Sequence, residues 1–296
     1  MRKMIRNAAV ALAALAPFAC HAQEPIELKT APISLHGEKW AETVLTPFDK
    51  KHAEETYKVY THLMDFAGEK PITKGAGGKF THHRGLFIGW KDTMVDGRDY
   101  DTWHMSNCYQ QAESEETAEG VQKLAIDWNK PNGKPFIKEQ RTLTLSDGPD
   151  GARIIDFASH LESLEGDIEL KGDLQHAGMQ VRMSNEVSEH EESTQYILPE
   201  GAEELDDDKV VGAWWACASV EVDGKRYWVM HMTPPDLLTG EPVYSIRRYA
   251  RFGAFFEPLL KADTPLDLKF RVLYTEKELD PAACQALYDA YAAGVK

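Results

Sequence analysis

The sequence predicts an all-β protein, a large supersandwich-like antiparallel β-sandwich closed by a short C-terminal helix. Three observations predict it. Short alternating or apolar runs recur with turn signals between them along most of the chain. The one strong helix signal stands at the end of the chain. Several runs, such as residues 210 to 220, are apolar on both faces, as central strands covered by a second layer are.

The chain opens with Arg2, Lys3 and Arg6, an apolar stretch from Ala8 to Ala19, and small residues at Cys20 and Ala22. This pattern reads as a signal peptide over residues 1–22, cleaved after Ala22. Its apolar run is too short to span a bilayer, and no other segment is a candidate, so the mature chain is expected to be periplasmic or secreted. Residues 23–296 then form a single sandwich domain, since no proline-rich or glycine-serine linker divides them. The full chain carries a formal charge of −15, and removing the leader leaves 30 basic against 48 acidic residues. Such a surface excludes nucleic acid and anionic lipid as partners, and favours a neutral or weakly charged ligand unless arginines gather locally. Cys108, Cys217 and Cys284 remain after cleavage; one disulfide is allowed, with no pairing assignable, and Cys217 reads as a buried thiol.

Taken in order, LAIDW and FIKEQRTLTL flank the turn NKPNGK, and RIIDFASHLESL follows the turn SDGPDGA, which together predict an antiparallel meander. Residues 188–209 are charge-rich and read as a long surface loop. Residues 210–232 predict two strands joined through Asp223 and Gly224. LDLKFRVLYT predicts a further strand over 266–275. Asp280 then caps a helix that has Pro281 in its first turn.

Four polar clusters stand out against this frame. THHRGLFIGW places His82, His83 and Arg84 before an apolar run. Counted as a strand from residue 82, it sends the two histidines to opposite faces unless the chain bends, which the neighbouring glycines allow. In KGDLQHAGMQVRM, period-two alternation puts His176, Gln180 and Arg182 on one face, exposed or concave, and Met179, Val181 and Met183 on the core face. Asp173 is positioned to orient His176. VDGRDYDTWHM places Trp103 and His104 on a strand, with Trp103 exposed for stacking on a sugar ring. YSIRRYARFGAFFEP sets Arg247, Arg248 and Arg251 among aromatics, as a clamp for a carboxylate or hydroxyls. No zinc helix, phosphate loop, dinucleotide fingerprint or nucleophile elbow is present.

THHRGLFIGW, VDGRDYDTWHM, GDLQHAGMQVRM and RYARFGAF resemble, in that order, an exported bacterial family labelled methane oxygenase PmoA-like, a domain of unknown function. The likeness covers roughly residues 55 to 275. It implies a β-sandwich and a carbohydrate-related role, and corresponds by position to His82, His83, Arg84, Trp103, His176 and Arg182. The residues and the resemblance lead to one reading: an exported enzyme that cleaves a glycosidic or related bond. In it His83 or His176 is the general acid or base, Asp173 orients the imidazole, and Arg84 and Arg182 stabilise developing charge. His82, Trp103, His104, Gln180, Arg248 and Arg251 bind the glycan. This reading names no metal ligands and requires no cofactor. A divalent metal gathered from His82 or His83, His104, His176 and His231, serving an oxygenase, is one alternative, and a carbohydrate-binding module without catalysis is another.

Overall fold

A computed structural model describes residues 25–205, 208–237 and 240–294; the leader read at residues 1–22 lies outside them. Among the described residues, two large sheets face one another, and every strand pairing is antiparallel. One sheet orders Thr30–Leu35, Glu38–Val44, Tyr60–Leu63, Leu86–Trp90, Ala177–Arg182, Arg251–Phe255, Val243–Ser245, Lys209–Val211 and Glu203–Leu205. The other orders Gln195–Ile197, Trp215–Val222, Lys225–Met232, Leu266–Thr275, Arg153–Ser163, Pro135–Asp147, Val121–Asn129 and Tyr109–Ala118. A smaller sheet of Leu259–Leu260, Ile168–Lys171, Asp92–Val95 and Arg98–Tyr100 is also present.

The core lies between the two large sheets. Ile88, Met179, Val181 and Phe252 from the nine-stranded sheet meet Leu143, Phe157, Val229 and Val272 from the eight-stranded one in a single buried cluster. Alternation along each strand is what sends these side chains inward. The expected meander is there, with 121–129, 135–147 and 153–163 as neighbours. The Asp223–Gly224 hairpin is a two-residue turn with both residues at positive φ, 53° and 71°, the backbone that matches strand twist. The helix spans Pro281–Gly294; Asp280 accepts the backbone N–H of Ala283 at 2.8 Å, as a capping residue should. Its Cys284, Tyr288 and Tyr291 cover the outer face of the eight-stranded sheet against Trp215, Cys217, Met230 and Leu273. The three described cysteines are free thiols, and Cys217 and Cys284 share the buried cluster under the helix.

Three expectations are corrected. Residues 210–220 are not one strand: Gly212, at φ 75°, breaks the run, so that Lys209–Val211 joins one large sheet and Trp215–Val222 the other. The stretch 188–209 is not all loop, because Gln195–Ile197 and Glu203–Leu205 add an edge strand to each large sheet. The strand expected from residue 82 begins only at Leu86.

His231 sits inside the core, its Nδ1 2.8 Å from the Tyr244 hydroxyl and its Nε2 3.0 Å from Met179 Sδ. Burial lowers its pKa to about 3. Below pH 6.5 the unfolded chain takes up a proton that the folded one refuses until about pH 3, so stability falls as pH falls through this window. The expected slope from this one residue is about 1.4 kcal/mol per pH unit. Urea unfolding of wild type and His231→Gln at several pH values between 4 and 6.5 checks it, with parallel pH dependences counting against it.

Candidate functional site

The outward face of the nine-stranded sheet carries the polar clusters. Ala177–Arg182 lies between Leu86–Trp90 and Arg251–Phe255, so Arg182 stands directly opposite Arg251 and Gln180 opposite Gly253. Gly89 lets other backbone lie on this face, and Gly253 makes room for the Gln180 side chain. A Cβ on Gly89 would fall 2.4 Å from the Thr102 carbonyl oxygen; one on Gly253 would fall 2.2 Å from the Met179 carbonyl oxygen of the neighbouring strand and 3.0 Å from the Gln180 side-chain carbon. Through Gly89, residues 101–107 rest on the sheet as a turn, where a strand was expected for Trp103 and His104.

A second loop, residues 74–85, is held by cations. The Lys74 ammonium donates to the carbonyls of Gly75 at 3.0 Å and Gly77 at 2.5 Å. The Arg84 guanidinium donates to those of Thr81, His83 and Glu54 and lies over the rings of Tyr57 and Tyr60. Lys58 joins the two loops by donating to the Trp103 carbonyl at 2.6 Å and that of His82 at 3.1 Å. These bonds bend the chain ahead of Leu86 and bring both histidines to one side. Arg84 therefore spends both terminal nitrogens on backbone and holds this loop, with its Nε left unpartnered.

The bend places four imidazoles together. Ring centroids are 4.3 Å apart for His82 and His83, 4.3 Å for His82 and His104, and 4.8 Å for His104 and His176. One ligand nitrogen from each of His82, His104 and His176 lies within 4.8 Å of the other two. Two of these rings are backed by carboxylates through the same local device. Asp101 accepts from the backbone N–H of His104 and contacts its Nδ1 at 2.8 Å. Asp173 contacts His176 Nδ1 at 2.5 Å, with the His176 N–H bonded to the Asp173 carbonyl at 2.9 Å. Both are Asp-x-x-His turns, and both leave Nε2 free; His82 Nε2 is buried without a partner.

The electrostatics favour neutral rings at His82 and His176. Burial, then the charge of Lys58 and the other two imidazoles, drives the His82 pKa down to about 2. Burial also lowers His176, against the pull of Asp173. Asp101 and Asp173, which burial alone would raise, are held below the usual carboxylate range by their histidines and backbone N–H groups. Neutral imidazoles oriented by carboxylates are the ligand set of a zinc-like divalent ion. A tetrahedral ion about 2.0–2.1 Å from each nitrogen spaces them about 3.4 Å apart, so the rings need to close by at most about 1.4 Å. His104 and His176 remain 28% and 23% exposed at their side chains, which keeps one side of the cluster open.

The structure thus brings together His82, His83, His104, His176 and Asp173, with Gln180, Arg182 and Arg251 on the sheet beside them. It does not bring all the expected residues. Trp103 is fully buried, edge-on to Phe87 at 4.9 Å, and offers no stacking platform. Gln180 and Arg182 lie beneath the loops with no exposed surface, because the loops cover the face that alternation alone left open. Arg248 is exposed and does not join the cluster, whereas Arg247 pairs with Asp208. His231 belongs to the opposite, core-facing side. The residues missed are Lys58, Lys74 and Asp101. Asp101 had a signal, since DTWH repeats the spacing of DLQH; a lone lysine in the apolar run at 57–64 was the only trace of Lys58.

A search of curated proteins finds no match to the chain. A family described as one of unknown function, DUF6807, matches residues 34–289, a span that holds the eight-stranded sheet, the nine-stranded sheet apart from most of its edge strand Thr30–Leu35, and every residue of the cluster. The chain therefore belongs to the DUF6807 family.

Proposed function

We propose that this protein is an exported, carbohydrate-active enzyme that cleaves a glycosidic or related bond with a divalent metal ion held by His82, His104 and His176. The observation that carries the reading is the pairing of Asp101 with His104 and of Asp173 with His176 around an unpartnered His82 nitrogen. A structural histidine needs no such carboxylate, whereas a ligating one gains a fixed tautomer and orientation from it. An ion on three neutral imidazoles keeps its full charge and an open position, where it lowers the pKa of a bound water towards neutrality. The carboxylates fix the rings, Lys58 and Arg84 fix the loops that carry them, and the open side admits substrate. The carbohydrate part rests on the family resemblance read from the sequence, since the Trp103 platform has dropped out of it. Export rests on the leader at residues 1–22.

The 2.5 Å contact between Asp173 and His176 supports a second reading, in which His176 works as a general base without a metal. Incubating the protein with plant and algal oligosaccharides tests both. Product release by wild type that a chelator stops and zinc restores is the expected result, and release that a chelator leaves untouched selects the second reading. No turnover, or equal turnover by His176→Ala, removes both.

A further inference from the structure

The buried cations of this protein fall into two groups. Arg141 pairs with Glu139, Arg153 with Glu38 and Arg247 with Asp208. Arg84, Arg182, Arg251, Lys58 and Lys74, all buried beside or beneath the histidine cluster, pair with no carboxylate. Lys58 and Lys74 are satisfied by backbone carbonyls; Arg84 gives both terminal nitrogens to backbone and leaves Nε unpartnered, and two further guanidiniums are also incomplete. Arg182 directs Nη1 to the carbonyls of Met183, Ser184 and Tyr249, and leaves Nε and Nη2 without partners. Arg251 directs Nη1 to Gln180 and Ser245 and leaves Nε without one. Two further buried nitrogens next to them, His83 Nδ1 and Trp103 Nε1, are also unpartnered.

These groups form one locus. Arg182 lies over the Tyr249 ring at 4.9 Å and Arg251 over the Trp103 ring at 5.9 Å. The His83 ring stands 6.0 Å from Tyr249 and 6.1 Å from Trp103. Trp103 is in turn 5.8 Å from His176, so the locus adjoins the three-histidine cluster. Phe80, 39% exposed and at φ 55°, covers it from solvent by packing on Tyr249 at 4.6 Å and His83 at 5.4 Å. Buried charge and buried donors are costly unless something completes them. Two guanidiniums and an indole N–H, with a neutral imidazole and no carboxylate beside them, lack an oxyanion, and a planar carboxylate matches guanidinium geometry.

We propose that this locus binds a carboxylate of the substrate, entering past Phe80, and that the enzyme's glycan is therefore acidic, built on a uronic acid. The inference rests on the carbohydrate-active reading and narrows its substrate class. It also departs from the expectation of a neutral ligand drawn from the 30 basic against 48 acidic residues left without the leader, because the arginines gather locally.

Calorimetry with metal-free protein isolates this locus from the ion. D-Glucuronate and D-galacturonate are expected to bind, with affinity falling as salt rises, and the methyl ester of either, the same ring without its charge, to bind at least about ten-fold more weakly. Arg251→Gln and Arg182→Gln, with circular dichroism to confirm folding, are expected to weaken the uronate by about ten-fold or more. Equal binding of ester and acid overturns the proposal without recourse to any variant, as does unchanged uronate affinity in a folded variant. No uronate binding by a protein that turns over neutral oligosaccharides also overturns it while leaving the enzymatic reading intact.

Discussion

Replacing His176 by alanine is expected to abolish turnover and the binding of a divalent ion. The asparagine variants of its supporting carboxylates should give a graded loss. Removing a ligand leaves two imidazoles and opens the site, whereas Asp173→Asn or Asp101→Asn keeps the ligand but frees its tautomer and orientation, which costs about 10–100-fold in metal affinity. His83→Ala serves as the control, because His83 lies 4.3 Å from His82 by ring centroid and outside the three-histidine set. It should retain the ion. Metal analysis after dialysis, followed by zinc competition with a coloured chelator, orders the series. If His176→Ala and Asp173→Asn hold metal as wild type does, the cluster is not a ligand set.

The second large effect comes from a residue that touches no ligand. Gly89→Val is expected to lower metal affinity by at least about ten-fold and to destabilise the fold by about 1–3 kcal/mol, as forced overpacking does. The physical reason is the 2.4 Å approach of the Thr102 carbonyl to where a Cβ would sit, with Trp103 Cα at 3.3 Å. Both neighbours are backbone and cannot rotate aside. The turn at 101–107 must lift from the sheet, taking His104 and Asp101 out of reach of His82 and His176. Thermal unfolding and zinc titration of the same sample check the two effects together. A folded Gly89→Val with unchanged zinc affinity would show that the seat of this turn does not position the cluster.

How much of this was legible in the sequence follows from the range of the forces involved. Strand alternation is local, so the split of Met179, Val181 and Met183 from Gln180 and Arg182 could be read directly, as could the two-residue turn at Asp223 and the cap at Asp280. The dyad of Asp173 and His176 was legible for the same reason. Its twin at Asp101 and His104 shared the spacing, but was masked by reading Trp103 and His104 as strand. What could not be read was what lies on top of a strand. Polar neighbours made Trp103 look exposed, yet it is buried because Gly89 admits the turn that carries it. Nor did the sequence show that the terminal nitrogens of Arg84 close a loop whose partner carbonyl on Glu54 is thirty residues away. Convergence itself depends on Leu86–Trp90, Ala177–Arg182 and Arg251–Phe255 being neighbours in the sheet, and no local pattern encodes that order.

X-ray absorption at the zinc edge, on protein loaded with one equivalent of zinc, measures the proposed centre directly. The spectrum should show three imidazole nitrogens at about 2.0–2.1 Å plus one lighter oxygen scatterer, with the imidazole signal reduced in His82→Ala. A zinc shell without three imidazoles, a shell unchanged in His82→Ala, or no zinc retained at one equivalent would contradict the assignment of His82, His104 and His176 to a single metal centre.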